Sequence, residues 1–373
     1  MNSRNPYDLE ISFDQHVWLP APKSTYRPIV DLIEDRDVLA RIIRSCLDVA
    51  SEVSSHEEVM GQKILARLSP DDILLIKQKV FGGRDDVSVD AMIVQGAYVS
   101  EEIRSKMGLS IVNPPENIHR MQRGNIYVGD TYSANMVGSI LKKVGIEFLS
   151  AGKYLDFGCS SGSLTRILKA AEPDSQFFGV DPIKSSIDWA SKNIEGATFK
   201  VSNIEPPVDF PDGYFNGVTA ISIWSHLGEQ RALNWFNEMH RIIADGGWLL
   251  FTSHGDTSVN VWNEREALPS RRILALTEAL GNSDFVFEEV YIGESPEGLD
   301  ADGYGNTYFR PSWVERRLGA KWDVSYFGKA ENQNNQDVYV LTKKAATAVI
   351  RDKDLHRAAE PSFWRKVKNY FKR

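Results

Sequence analysis

The spacing of hydrophobic positions changes along the chain, and the changes divide it into segments. Between about residues 30 and 108 apolar side chains recur at helical spacing, the mark of one buried face per helix. Leu32, Leu39, Ile42, Cys46 and Ala50 form one stripe, and Val59, Ile64 and Leu68 a second. A third helix has an explicit start. Ser69 suits a cap, Pro70 suits the first helical position, and Asp71 and Asp72 lie where the helix dipole favours anions, just ahead of Ile73, Leu75 and Ile76. Ser100-Glu101-Glu102 opens a shorter helix, and residues 110–125, with Asn113, Pro114, Pro115, Asn117 and Gly124, read as a linker or a loop laid over the next domain.

From about 131 to 253 short apolar runs alternate with helical stripes, the pattern of a parallel sheet with helices on both faces. The spacing predicts a helix over Ser133–Leu149, a strand ending at Phe157 and a helix from Gly162 that stops at Pro173. Next come a strand from Gln176 to Val180 meeting Asp181, a helix from Pro182 to Asn193 and a strand over Thr198–Val201. A strand over Phe215–Ser222, a helix over Glu229–Ile243, a turn at Gly246-Gly247 and a strand over Trp248–Ser253 complete the series. Beyond it, Glu264–Leu280 and Pro311–Leu318 read as helices, residues 293–307 as a polar, glycine-rich stretch, and Lys321–Phe327 and Asp337–Thr342 as strands. The expected fold class is α/β with a doubly wound, mostly parallel sheet, preceded by a mainly helical region. The expected divisions are a helical region over 1–125, serving substrate or assembly, an α/β domain over 126–345 with an insertion at about 255–310, and a tail over 346–373.

Composition narrows the class of function. With 373 residues, 42% hydrophobic and 25% charged, the chain has an ordinary globular composition. A net charge of −8 argues against nucleic acid as a partner, because that binding depends on clustered Lys and Arg. Two cysteines, Cys46 and Cys159, are too few for a disulfide framework or a zinc site, so no metal and a reducing compartment are expected. The first residues, Met1 to Pro6, lack an apolar core, and no run approaches the roughly 20 apolar residues that span a bilayer. The expected location is therefore cytoplasmic. Residues 361–373 hold five basic side chains and no acid, with Phe363, Trp364, Val367, Tyr370 and Phe371 on one helical face. Such a segment fits peripheral contact with the anionic inner face of a membrane, and it equally fits a terminal helix docked on the core.

Chemistry concentrates at Leu155-Asp156-Phe157-Gly158-Cys159-Ser160-Ser161-Gly162-Ser163-Leu164, a strand running through a small-residue turn into a helix. Ligands of such sheets bind at the carboxyl ends of the strands, which gathers Asp156, Asp181, Asn203 and the run Ser222–His226 around one crevice. A dinucleotide fingerprint would need glycine at 158, 160 and 163, but Ser160 and Ser163 break it. The pattern Asp156, Gly158, Ser160, Gly162 resembles instead the first motif of the class I, Rossmann-like S-adenosylmethionine-dependent methyltransferases, with Ser160 in place of the more usual middle glycine. Phe178-Gly179-Val180-Asp181, Ser202-Asn203-Ile204-Glu205-Pro206-Pro207, Phe210-Pro211-Asp212-Gly213-Tyr214-Phe215 and His240 through Leu249 are similar to the later motifs of that superfamily, in order over about 120 residues. The final two strands resemble its terminal antiparallel hairpin. A looser likeness joins Gln336 to Leu341 with methyltransferases of bacterial surface-glycan biosynthesis.

The resemblance implies S-adenosylmethionine as cofactor and a role for each matched residue. Gly158, Ser160 and Gly162 would admit its methionine part, and Asp156 would lie near the sulfonium, where an anion is favourable. Asp181 would accept hydrogen bonds from the ribose hydroxyls, although Asp181-Pro182 also makes a good helix start. Asn203, which departs from the acid usual there, would meet the adenine amino group through its amide oxygen, Ile204 would pack on the ring, and Ser222 joins the cofactor set. His226 is the candidate base because imidazole titrates near neutrality, with His254 behind it. Trp224 suits a pocket wall or the core, His240 a packing role, and Tyr291, Tyr304, Tyr308 and Phe309 a lid over the acceptor. The expected reaction is methyl transfer to oxygen of a small molecule or saccharide, by in-line displacement. The alternatives are a partner-binding protein that keeps the fold without catalysis, and a nicotinamide oxidoreductase.

Overall fold

Short capped helices open the described chain: α1 (Val59–Leu65), α2 (Pro70–Phe81), α3 (Val89–Gly96) and α4 (Glu101–Met107). The computed structural model describes residues 56–115, 118, 130–259, 271–289 and 303–345. The start of α2 is the one its sequence predicts, a reciprocal box in which Ser69 Oγ accepts from the Asp72 amide at 3.2 Å and Asp72 Oδ2 from the Ser69 amide at 2.9 Å. Ser88 and Ser100 cap α3 and α4 by the one-way bond alone, accepting from the amides of Ala91 and Ile103.

The α/β region follows as α5 (Thr131–Lys143), β1 (Lys153–Phe157), α6 (Ser163–Ala171), β2 (Gln176–Asp181), α7 (Lys184–Asn193), β3 (Ala197–Val201), β4 (Phe215–Ala220), α8 (Glu229–Ile242) and β5 (Ile243–His254). After it come α9 (Arg271–Asn282), β6 (Phe285–Glu288), β7 (Asn306–Phe309), α10 (Pro311–Leu318), β8 (Trp322–Asn332) and β9 (Gln336–Lys343). Strands β3, β2, β1, β4 and β5 pair in parallel in that order. β9 runs antiparallel to β5, from Trp248↔Thr342 to His254↔Gln336, and β8 antiparallel to β9. This is the mostly parallel, doubly wound sheet that the pattern predicts, ending in the antiparallel pair that the resemblance implies.

Side chains alternate across the sheet, as a period of two requires. Tyr154, Phe177, Trp248, Leu250 and Val340 face one layer, where Met136, Ile140 and Ile167 of α5 and α6 meet Ile64, Ile76, Ile93 and Met107 of α1 to α4. The N-terminal helices therefore share a hydrophobic core with the sheet. Leu155, Phe157, Val218, Leu249 and Phe251 face the other layer, filled by Trp235, Phe236, Met239 and Trp313. Trp224 belongs to this core, fully buried and stacked on Phe236 at 4.4 Å. His240 packs edge-on against Trp322 at 5.3 Å.

Several expected bounds move. The helix expected over Ser133–Leu149 ends at Lys143, because Gly145 takes a left-handed φ of 72° and turns the chain. β5 begins at Ile243, not Trp248, so Gly246-Gly247 lies within it. The insertion holds a hairpin absent from the expected elements: β6 pairs antiparallel with β7. β7 takes over where β4 stops. β4 pairs with β5 as far as Ala220↔Phe251, and beyond that point His254 pairs in parallel with Tyr308 of β7. The Leu32–Ala50 stripe, Tyr291 and the tail over 346–373 lie outside the described residues. No helix among the described residues is long and apolar enough to cross a membrane.

Candidate active site

A crevice opens at the carboxyl ends of β1, β2 and β4. Phe157, Gly158 and Ser160 line it from the first turn, Asp181, Pro182, Ile183 and Ser186 from the second, and Ser202, Asn203 and Ile204 from the third. Ser222, Ile223, His226 and Leu227 line it after β4, with Arg231 and Trp235 from α8 and Tyr304 from the insertion. Ile118 also lines it, and its carbonyl accepts from Ser186 Oγ of α7 at 3.4 Å.

The first turn is held by the acid of the second. Asp181 is buried; its Oδ2 accepts from the Ser160 amide at 2.9 Å and its Oδ1 from the Ile183 amide at 2.9 Å. A carboxylate offers about four lone-pair positions, so these two bonds do not exhaust it. Ser160 sits at φ 48°, the left-handed region where glycine is cheapest, and Ser222 across the crevice at φ 64°. Gly158 has φ 77°, and a Cβ there would lie 2.1 Å from Ile223 Cδ1. The bare backbone keeps that passage open.

Two residues of the expected cofactor set do not line this crevice. Asp156 is buried and does not line the crevice; its carboxylate accepts from Thr165 Oγ1 at 2.8 Å and from Thr219 Oγ1 at 3.4 Å. Burial pushes its pKa up to about 7, the two threonine bonds oppose the rise, and the charges of Asp181 and Asp130 add to it. Gly162 precedes α6 at φ 77°, and a Cβ on it would meet Ile194 and Phe199, packing residues away from the crevice. Cys159 is a buried free thiol whose pKa burial raises.

On the acceptor side, His226 Nδ1 bonds the Gly305 carbonyl at 2.9 Å, and its ring stacks on Tyr304 at 5.1 Å. His254 is buried behind it, stacked on Tyr308 at 5.3 Å. Gln336 joins these strand ends: its Nε2 donates to Ser222 Oγ at 2.7 Å, and its Oε1 accepts from Thr252 Oγ1 at 2.7 Å. Of the expected lid aromatics Tyr304 faces the crevice, while Tyr308 and Phe309 are fully buried. Arg231 and Trp235 were not among the expected site residues. Arg231 pairs with Glu205, and Trp235 Nε1 donates to the Ile204 carbonyl at 3.3 Å. Both stand on the face of α8 that points back at the third loop, and only the loop's position in space marks them.

Asp181 for a diol, Asn203 beside apolar Ile204 and Ile183, and a passage at Gly158 that a Cβ would fill together fit a nucleoside sulfonium. Residues 155–251 match the family model described as a methyltransferase domain. Solved structures similar to the chain include a SAM-dependent methyltransferase from Methanosarcina mazei, at 17% identity over 55% of this chain and 97% of that one, with a TM-score of 0.39. A protein from Pyrococcus horikoshii OT3 shows 17% identity over 58% and 92%, with a TM-score of 0.40. The N-methyltransferase NodS from Bradyrhizobium japonicum WM9, solved with S-adenosyl-l-homocysteine, shows 12% identity over 55% and 85%, with a TM-score of 0.35. No protein of curated function matches. Residues 155–251 carry a methyltransferase domain, for which the cofactor is S-adenosylmethionine, and this sets the nicotinamide alternative aside.

Proposed function

We propose that the protein methylates an oxygen of a small-molecule or saccharide acceptor, with His226 as the base. The observation that carries this reading is an imidazole lining the same crevice as Asp181 and Asn203, with its Nδ1 on a carbonyl. A carbonyl oxygen can only accept, so Nδ1 holds the ring proton and Nε2 is the basic nitrogen. Bound in the crevice, S-adenosylmethionine supplies an electrophilic methyl group on a sulfonium. Asp181 would receive the ribose hydroxyls, Asn203 the adenine amino group through its amide oxygen, and Ile204 with Ile183 would cover the ring. Gly158, Ser160 and Ser222 shape the passage, while Asp156, bonded to Thr165 and Thr219, supports the turn from beneath.

Displacement at a methyl group is in-line, so alignment and exclusion of water supply most of the acceleration. The apolar walls Phe157, Ile223, Leu227 and Trp235 serve that exclusion. As the acceptor oxygen attacks, His226 takes its proton at Nε2. Tyr304, stacked on His226, lines the same crevice with an aromatic ring, which suits a sugar or other ring as acceptor. Glycan assembly at the inner face of a membrane suits the basic amphipathic composition of 361–373.

Incubation of the protein with a cell extract and isotope-labelled S-adenosylmethionine should transfer label to a small molecule visible by mass spectrometry. In His226→Ala, turnover should fall by at least about 100-fold while calorimetric affinity for S-adenosylhomocysteine is kept. Unchanged turnover rejects the base. Label transfer also separates this reading from a partner-binding protein without catalysis.

A further inference from the structure

The loop that carries His226 is anchored at its start by Ser222, which bonds Thr252 and Gln336, and beyond that point it is held by the insertion. β4 ends at Ala220, and residues 225–228 are gripped by residues 303–307. The Thr307 amide donates to the Ser225 carbonyl at 2.8 Å, the Gly305 amide to the His226 carbonyl at 2.8 Å, and the Gly228 amide to the Gly303 carbonyl at 3.1 Å. Thr307, fully buried, adds a side-chain clamp: its Oγ1 donates to the Leu227 carbonyl at 2.7 Å. The segment is fixed from the other side as well. Tyr308 pairs with His254 of β5, and a Cβ at Gly305 would lie 2.2 Å from the Glu288 carbonyl oxygen, so β6 and β7 close tightly there.

We infer that this insertion segment is the positioning element of the catalytic imidazole, with Thr307 as its positioning residue. Through the Leu227 carbonyl, Thr307 fixes the register between the two segments. That register sets the Gly305 carbonyl against His226 Nδ1 and selects the tautomer that leaves Nε2 basic. The inference rests on the reading of His226 as base, and it assigns control of that base to residues outside the matched methyltransferase segment. Removing the Thr307 hydroxyl leaves the Leu227 carbonyl buried without its side-chain donor, and the contact between the two segments loosens there although the backbone bonds remain. The imidazole then loses the acceptor that fixed its tautomer.

The test is tautomer-resolved nitrogen-15 spectroscopy of the full chain saturated with S-adenosylhomocysteine, at about pH 8 where free imidazole is neutral. His226 is assigned among the seven histidines by the signal lost in His226→Gln. Wild type should show His226 protonated at Nδ1. Thr307→Val should lose that single form to a mixture containing Nε2–H, and Thr307→Ser should restore it, while all three bind S-adenosylhomocysteine within about twofold of one another. A wild-type His226 protonated at Nε2 overturns the inference even if Thr307→Val fails to fold, and so does a folded Thr307→Val that keeps the pure Nδ1–H form. Folded wild type that binds no S-adenosylhomocysteine by calorimetry overturns the cofactor reading instead, so the two failures are distinct.

Discussion

The two glycines of the first turn look equivalent in sequence and do different work in space. Both have φ near 77°, where an L side chain costs roughly 1 kcal/mol of backbone strain. A Cβ at Gly158 would in addition strike Ile223 Cδ1 and drive that side chain into the crevice it lines. A Cβ at Gly162 would strike Ile194 and Phe199, under the helix. Gly158→Ala should therefore weaken S-adenosylhomocysteine binding by at least about tenfold, or roughly 1.4 kcal/mol, while Gly162→Ala lowers the melting temperature with little change in affinity. Calorimetry and thermal melts on both variants decide it, and equal affinity losses would reject the division of roles. At the same scale Asp181→Ala should cost more than Asp156→Ala in affinity, because Asp181 lines the crevice and Asp156 faces Thr165 and Thr219.

Elements join through single side chains that periodicity does not reveal. Asn135 on α5 is buried; its Oδ1 accepts from the amides of Met60 and Gly61 at 3.0 Å each, and its Nδ2 donates to Asp90 Oδ1 at 2.7 Å. One carboxamide thus fills the free amides at the start of α1 and ties α3 to the same point. Asn135→Ala strands those groups, and chemical denaturation should show a loss of about 3 kcal/mol, with α1 losing hydrogen-exchange protection ahead of β1. The βα alternation from β1 to β5 was legible because each element there carries its own period and its own turn or stop residues, as at Gly158 and Pro173. Asn135 was not, because its partners lie 74 and 75 residues away and an asparagine within a helical stripe carries no mark of them. The β6–β7 hairpin was hidden for a related reason. Its strands span four residues each, and what makes β7 a strand is the vacant edge of β5 beyond Ala220, a feature of the assembled sheet. The site divides along the same line: the loop ends Asp181, Asn203 and His226 follow from topology, whereas Arg231 and Trp235 depend on the angle at which α8 crosses the third loop.

For the whole molecule, three buried acids make stability depend on pH with a sign opposite to the usual carboxylate. Asp90, Asp156 and Asp337 each have a pKa pushed up to about 7, in every case chiefly by burial, with the Glu58 charge adding at Asp90. An unfolded Asp titrates near 4. Between about pH 4 and 7 the native state therefore binds more protons than the unfolded chain at these sites, so their contribution is full below pH 4, declines as pH rises and levels off above about 7. Two histidines work the other way. Burial lowers His56 and takes His240 to about 4, so between the folded and unfolded pKa values the native state binds fewer protons and gains stability as pH rises toward 6.5. The opposed groups flatten the wild-type profile below that point, which makes a single-site comparison the cleaner measurement. In Asp90→Asn the amide oxygen can still accept from Asn135, while the cost of ionising the site disappears. Relative to wild type, the variant should gain stability steadily between pH 5 and 7, by up to roughly 3 kcal/mol, and hold that margin above pH 8. Denaturation midpoints across the range test it. A difference that stays constant with pH would mean that Asp90 ionises in the folded protein as readily as in the unfolded chain, and that the α1–α3–α5 junction admits water.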